Sequence, residues 1–196
     1  SSIIDGKIMK KIQEAAKLAP LHNPHNIEGI HAAQKLLPNA TNIAVFDTAF
    51  HRTMPDAAAT YGIPLSLTKK YNIKKYGFHG ISYQYICEEL QKKLGRLPAR
   101  LIVCHLGNGS SITAIKNGKS IDTSMGFTPL EGLLMGTRSG DLDPAVVFYL
   151  MEKENLSPGR ISDILNKESG LLGISGVSND MRDLKSKIAQ RAKLAI

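Results

Sequence analysis

The stretch Leu101-Ile102-Val103-Cys104-His105-Leu106-Gly107-Asn108-Gly109-Ser110-Ser111-Ile112-Thr113-Ala114-Ile115-Lys116-Asn117-Gly118-Lys119-Ser120-Ile121-Asp122-Thr123-Ser124 alternates strand-forming runs with turn residues. Residues 101–106 have the pattern of a buried strand, Asn108-Gly109 opens a turn, and residues 111–116 alternate apolar with polar. Asn117-Gly118 is a two-residue hairpin signal, because both central positions of a type I′ turn need positive φ. Residues 120–124 then supply a third strand, so the stretch predicts a three-stranded antiparallel meander. Glycines where the first strand turns back let backbone N–H groups approach a phosphate with no side chain in the way, although the same Asn-Gly pair also serves as an ordinary turn. This is not a Walker loop: no Lys-Ser or Lys-Thr follows, and the next element is a strand.

Before the meander, residues 81–94 have helical periodicity. Residues 48–80 are rich in turn formers and read as irregular, with a short helix at 56–61. Residues 43–46 form a short apolar run that suits a buried strand ending at Asp47. Nearer the start, Asp5 caps a helix expected to run to about residue 19, where Pro20 stops it. His22-Asn23-Pro24-His25-Asn26 reads as a loop, followed by a helix over 27–37. Beyond the meander, residues 125–143 are irregular, and helices are expected at 144–153, 158–166 and 181–194. The pattern is α/β, without internal repeats.

The 196 residues carry 25 Lys and Arg against 17 Asp and Glu, a formal charge of +8, with 42% hydrophobic residues. That is a globular composition, long enough to bury a core. Two cysteines, Cys87 and Cys104, exclude a disulfide framework and suit a reducing, cytoplasmic setting. Cys104 is expected in the core. No apolar run reaches the length of a membrane span, and the start lacks the pattern of a signal peptide. The missing initial Met, and a final helix without a stop signal, suggest a piece of a longer protein. Basic residues are scattered in pairs such as Lys69-Lys70 and Lys92-Lys93, which reads as solvated surface rather than a nucleic-acid face.

Three short stretches could carry chemistry. Arg138 sits between glycines in Met135-Gly136-Thr137-Arg138-Ser139-Gly140-Asp141, a placement that suits forked contacts to phosphate or carboxylate oxygens. The alternative is a loop staple with Asp141 or Asp143. Tyr76-Gly77-Phe78-His79-Gly80 similarly holds His79 between glycines. His22, His25 and His31 lack the regular Cys or carboxylate companions of a zinc site. Cys104 and His105 are not a nucleophile and base pair, since neighbours in a strand point to opposite faces.

These pieces occur together and in order: Leu18-Ala19-Pro20-Leu21-His22-Asn23-Pro24, Phe46-Asp47-Thr48-Ala49-Phe50-His51, Tyr76-Gly77-Phe78-His79-Gly80, His105-Leu106-Gly107-Asn108-Gly109-Ser110-Ser111, Phe127-Thr128-Pro129-Leu130-Glu131-Gly132, Gly136-Thr137-Arg138-Ser139-Gly140-Asp141 and Asn179-Asp180-Met181-Arg182-Asp183. The series closely resembles the central part of the acetokinase family, within the actin-like ATPase superfamily. The resemblance implies two RNase H-like α/β domains, with residues 1–47 ending the first and residues 48–196 forming most of the second. It further implies reversible transfer of the ATP γ-phosphoryl group to acetate, giving acetyl phosphate and ADP. Propionate as acceptor, pyrophosphate as phosphoryl partner, or a non-catalytic nucleotide-binding module are the alternatives.

By the same resemblance, Asp47, His79 and Arg138 are catalytic, while His22, Phe78 and Pro129 line the acceptor pocket. His105, Leu106, Gly107, Asn108 and Gly109 match ATP-contacting positions, as do Asp180, Met181 and Arg182. Magnesium is the implied cofactor, with direct ligands expected outside this chain, and the implied assembly is a homodimer that engages neither nucleic acid nor membrane. His25 stands where the family usually has Pro. The family's N-terminal strand, one substrate arginine, the adenine loop and the C-terminal magnesium-binding Glu have no counterpart here, so about half a catalytic site is expected.

Overall fold

The computed structural model describes residues 1–16 and 23–194, with residues 189–194 described by backbone alone. The chain begins with β1 (Ser2–Ile3), α1 (Gly6–Ala15), α2 (Asn23–Leu36) and β2 (Ile43–Ala44). A 3-10 turn (Ala49–Thr53), α3 (Asp56–Ala59), α4 (Leu65–Tyr71) and α5 (Gly80–Leu94) follow. Next come β3 (Arg100–Leu106), β4 (Ser110–Lys116) and β5 (Lys119–Thr123). The last helices are α6 (Pro144–Lys153), α7 (Pro158–Asp163), α8 (Gly170–Ser175) and α9 (Met181–Leu194), with a π turn (Ile164–Glu168) between α7 and α8.

The expected meander is present: β3, β4 and β5 are antiparallel neighbours in that order. Asn117 and Gly118 both have positive φ, 49° and 75°, so the hairpin closes as the Asn-Gly pair predicts. Register decides what each face holds. Leu101 lies opposite Ile115, Val103 opposite Thr113 and His105 opposite Ser111. Ser111, Thr113 and Ile115 are buried, so this is the covered face, packed by α5 and the 3-10 turn.

The opposite face corrects the expectation for β3. Ile102 and Leu106 are 66% and 73% exposed, and Cys104 is exposed rather than core. β3 is an edge strand of this sheet, and an apolar run does not tell a strand covered on both faces from one covered on a single face. Residues 43–46 differ in the same way. Only Ile43 and Ala44 pair, with Ile3 and Ser2, and Val45 is 61% exposed.

Helix boundaries differ where proline was read as a breaker. Asp5 caps α1 as expected, its Oδ1 accepting from Ile8 N–H at 2.7 Å. α1 ends at Ala15, short of the expected residue 19, with Ala16 N–H donating to the Gln13 carbonyl; Pro20, and His22 of the expected loop, lie outside the described residues. Asn23, Pro24, His25 and Asn26 belong to α2 rather than to a loop, because proline is compatible with a first helical turn, where its missing N–H has no partner to lose. The 158–166 helix widens into the π turn, and the expected irregular segment 48–80 holds α4 as well as the 3-10 turn and α3. Helices α5, α6 and α9 fall where their patterns place them.

Candidate active site

Asp47 follows β2 and meets the start of α5. Its Oδ2 accepts from His79 N–H at 2.6 Å and its Oδ1 from Ile81 N–H at 3.3 Å, while its own carbonyl accepts from Gly80 N–H at 2.9 Å. The carboxylate thus satisfies N–H groups that the first turn of a helix leaves without partners. Glycine at 80 is required by the approach: a Cβ there would lie 2.1 Å from the Asp47 carbonyl oxygen. His79 itself adopts a left-handed conformation, with φ of 59°.

That backbone directs the His79 ring toward the turn between β3 and β4. Its Nδ1 lies 2.8 Å from Ser111 Oγ, whose hydroxyl also meets the Tyr83 hydroxyl. The ring stacks on His105 at 3.9 Å between centroids, and His105 Nδ1 lies 3.0 Å from Ser82 Oγ. Burial, then the neighbouring His105, push the His79 pKa down to about 4, against the opposing pull of Asp47. At neutral pH His79 is an uncharged imidazole. Beneath it, His51 is almost fully buried, with Nε2 donating to the Phe78 carbonyl at 2.8 Å and Nδ1 2.9 Å from Ser120 Oγ.

Arg138 reaches the same place from the other side. Its Nη1 donates to the Pro129 carbonyl at 3.0 Å, which ties the arginine loop to the Phe127-Thr128-Pro129 segment. The expected alternative of a staple to Asp141 or Asp143 is not formed: Asp141 accepts from Gly132 N–H and Asp143 caps α6. The loop is instead held from below. The carbonyls of Leu165 and Asn166 in the π turn each accept at 3.0 Å, from Ser139 N–H and the Thr137 hydroxyl. Leu171 and Leu172 N–H, at the start of α8, donate to the carbonyls of Met135 and Gly136.

These groups meet over Gly109. A Cβ on Gly109 would stand 3.3 Å from His79 Nε2 and 3.5 Å from Arg138 Nη1, so the glycine lets both side chains close on the backbone of the turn. The Asn108 carbonyl accepts from Gly136 N–H at 2.9 Å, and Asn108 Oδ1 accepts from Asn179 Nδ2 at 2.8 Å. The latter bond brings Asp180, Met181 and Arg182 beside the turn, where Asp180 accepts from the Arg182 N–H at 2.8 Å and pairs with its guanidinium. The Arg182 guanidinium holds the Asp180 carboxyl down at a pKa of about 2.

The structure therefore gathers His79, Arg138 and Gly109 around one point and brings Asn108 to the start of α9. It places Asp47 one hydrogen bond behind His79, with its oxygens engaged by backbone. His105 lies against His79, Leu106 and Gly107 are exposed on the strand end and turn, and His22 lies outside the described residues. Among the described residues, no three His, Cys, Asp or Glu side chains come together to hold a metal ion. Ser111 and Tyr83 escape the sequence reading; the signal available was that Ser111 stands directly opposite His105 in the meander.

A neutral imidazole and a guanidinium that converge on a glycine turn are groups suited to holding a phosphoryl-sized anion. The comparisons agree on the class. The chain belongs to the acetokinase family, whose model matches residues 1–196. It is 58% identical to the acetate kinase of Desulfitobacterium hafniense, over 100% of this chain and 50% of that enzyme. A solved propionate kinase from Francisella tularensis superposes with a TM-score of 0.93 at 52% identity, over 96% of this chain and 49% of the other. The acetate kinase of Porphyromonas gingivalis gives a TM-score of 0.88 at 47% identity, over 99% and 50%. The fold is the actin-like ATPase fold of these enzymes, and the chain spans about half the length of the curated relatives it matches.

Proposed function

We propose that this chain forms the central part of an enzyme that transfers the γ-phosphoryl group of ATP to acetate, reversibly, giving acetyl phosphate and ADP. The observation that carries the reading is the convergence of His79 Nε2 and Arg138 Nη1 on the Gly109 turn. A carboxylate is already a nucleophile, so the protein has to align two anions and stabilise charge on the three equatorial phosphoryl oxygens. Arg138 supplies a planar, permanently charged fork; half-buried, it interacts more strongly than it would in water. His79 supplies a neutral donor beside it. Asp47 acts at one remove, fixing the backbone of His79 and the start of α5. Phe78 and Pro129 are assigned to the wall that accepts the methyl group of the acceptor, with His22 as a third member. The turn His105 to Gly109 and the stretch Asp180 to Arg182, joined through Asn108 and Asn179, are assigned to the nucleotide.

We assign residues 1–47 to the end of one RNase H-like domain and residues 48–196 to most of a second, a cytoplasmic location, and homodimeric assembly to the full-length protein. ATP is taken as the magnesium complex, and no magnesium ligand is assigned to the described residues. No described helix is long and apolar enough to cross a membrane. Propionate is the second acceptor to consider, since a solved propionate kinase superposes closely. One methylene changes selectivity by only about 1–3 kcal/mol, so both acceptors should react.

The test uses a polypeptide of the relatives' full length that contains this chain. Incubated with ATP, magnesium and acetate, it should yield acetyl phosphate, trapped by hydroxylamine as the hydroxamate. A folded, ATP-binding protein that forms no hydroxamate from acetate or propionate would overturn the assignment.

A further inference from the structure

Tyr83 and Ser111 lie beneath the site and touch neither proposed substrate. Both are 0% exposed, on α5 and β4 respectively. Their hydroxyls form a chain that ends on His79: Tyr83 to Ser111 Oγ, and Ser111 Oγ to His79 Nδ1 at 2.8 Å. Ser111 Oγ is the hydrogen-bond partner that the structure gives the Tyr83 hydroxyl among the described residues.

Proton counting along this chain has one complete solution. If His79 carried its proton on Nδ1 and gave it to Ser111, two arrangements would remain. Ser111 could donate to the Tyr83 oxygen, which would leave the buried Tyr83 proton without an acceptor. Alternatively Nδ1–H and the Tyr83 hydroxyl would both donate to Ser111 Oγ, which would leave the Ser111 proton without an acceptor. A buried donor without a partner carries a substantial penalty. When Tyr83 donates to Ser111 and Ser111 donates to Nδ1, both buried hydroxyl protons have acceptors, and the imidazole proton resides on Nε2, on the side of the ring away from them.

We propose that Tyr83 and Ser111 are positioning residues that hold His79 in the Nε2–H tautomer, so that its N–H is presented on the Gly109 side of the ring. The inference rests on the assignment of His79 to the phosphoryl site and says how that side chain is kept ready there. The geometry supports it independently of activity. Nε2 is the ring atom 3.3 Å from the point a Gly109 Cβ would occupy, while Nδ1 faces the buried hydroxyls. Stacking on His105 further restrains the ring plane. In the other tautomer the lone pair of Nε2 would face a developing anion, which repels rather than stabilises. Tautomer errors of this kind are costly in other imidazole-dependent sites.

The test combines nitrogen NMR of histidine-labelled full-length polypeptide with steady-state kinetics. At pH 7.5 the His79 signals should show a protonated Nε2 and an unprotonated Nδ1. Tyr83→Phe keeps the ring and removes the first donor, so a Nδ1–H population should appear and kcat should fall roughly tenfold or more, with KM for ATP and acetate nearly unchanged. Ser111→Ala, which is close to isosteric, should do the same if Tyr83→Phe folds poorly. His79→Gln, which can place an amide N–H where Nε2 stood, should retain more activity than His79→Ala. An Nδ1–H tautomer in the parent protein, or a parental kcat in both Tyr83→Phe and Ser111→Ala, would overturn the proposal. An unchanged kcat in His79→Ala would instead overturn the assignment of His79 to the reaction, a result distinct from the tautomer reading.

Discussion

At the scale of single residues, the proposed chemistry rests on the donors around Gly109, and they differ in what substitution should show. Arg138 should bind the transferring group more tightly in the transition state, where equatorial oxygens gain charge, than in the ground state. In the full-length polypeptide, Arg138→Ala should lower kcat by about 10² to 10³, with Arg138→Lys recovering part of it because charge returns without the fork. A change confined to the KM for acetate would make Arg138 a ground-state clamp. His79 has a signature in stability as well. Its folded pKa lies at about 4, below the ordinary 6.5, so the unfolded chain binds more protons between those values. Stability associated with neutral His79 is present above pH 6.5 and is lost as pH falls toward 4. The stability advantage of the parent over His79→Gln, measured by urea denaturation, should therefore shrink between pH 7.5 and 4.5.

At the scale of elements, the arginine loop depends on a segment that has no chemistry of its own. Gly170 opens α8 with φ of 64°, and a Cβ there would lie 2.2 Å from the Met135 carbonyl and 2.8 Å from that of Arg138. Gly176 closes α8 with φ of 63° and nothing within 4 Å of its Cβ position. The pair separates conformational strain from collision. Gly176→Ala should cost about 1 kcal/mol, and Gly170→Ala clearly more, with a loss of kcat that Gly176→Ala does not share. The meander was legible in the sequence because period-two alternation and Asn117-Gly118 are local signals. The start of α2 is hidden because Asn23, Pro24 and Asn26 are turn formers in the sequence, while proline is equally at home in a first helical turn. α4 and α8 were missed because they are short: a single turn or two shows little periodicity, and α8 is bounded by glycines that also read as loop. Cys104 was misplaced because burial of one face depends on what packs there, which a strand's own residues do not encode. Ser111 is a small polar residue in an alternating strand, so only three-dimensional contact reveals its partner His79.

At the scale of the whole molecule, the chain presents two very different surfaces around one sheet. The covered face carries the site, and the other leaves Ile102, Cys104 and Leu106 in solvent. Thiol titration of this chain should reflect that division: Cys104 should react promptly with a disulfide reagent, and Cys87, whose thiol pKa is raised by burial, only slowly or on unfolding. Equal rates would contradict the exposure of this face of β3. How the site is wired also bears on the order in which it forms. His51 to Ser120, Phe127 to Tyr61 and Asn179 to Asn108 are bonds spanning 69, 66 and 71 positions of chain. The β3–β4 and β4–β5 ladders, by contrast, join neighbours across short turns. Closing the long loops loses chain entropy before any of those bonds is gained, so the hairpins should assemble early and the bonds that organise the site should mature after the folding barrier. Tyr61→Phe removes the hydroxyl that accepts from Phe127 N–H at 2.7 Å and meets Glu131. Stopped-flow measurements should find its unfolding accelerated and its folding rate almost unchanged, which makes the active-site region the part of this chain that is last to arrive and first to leave.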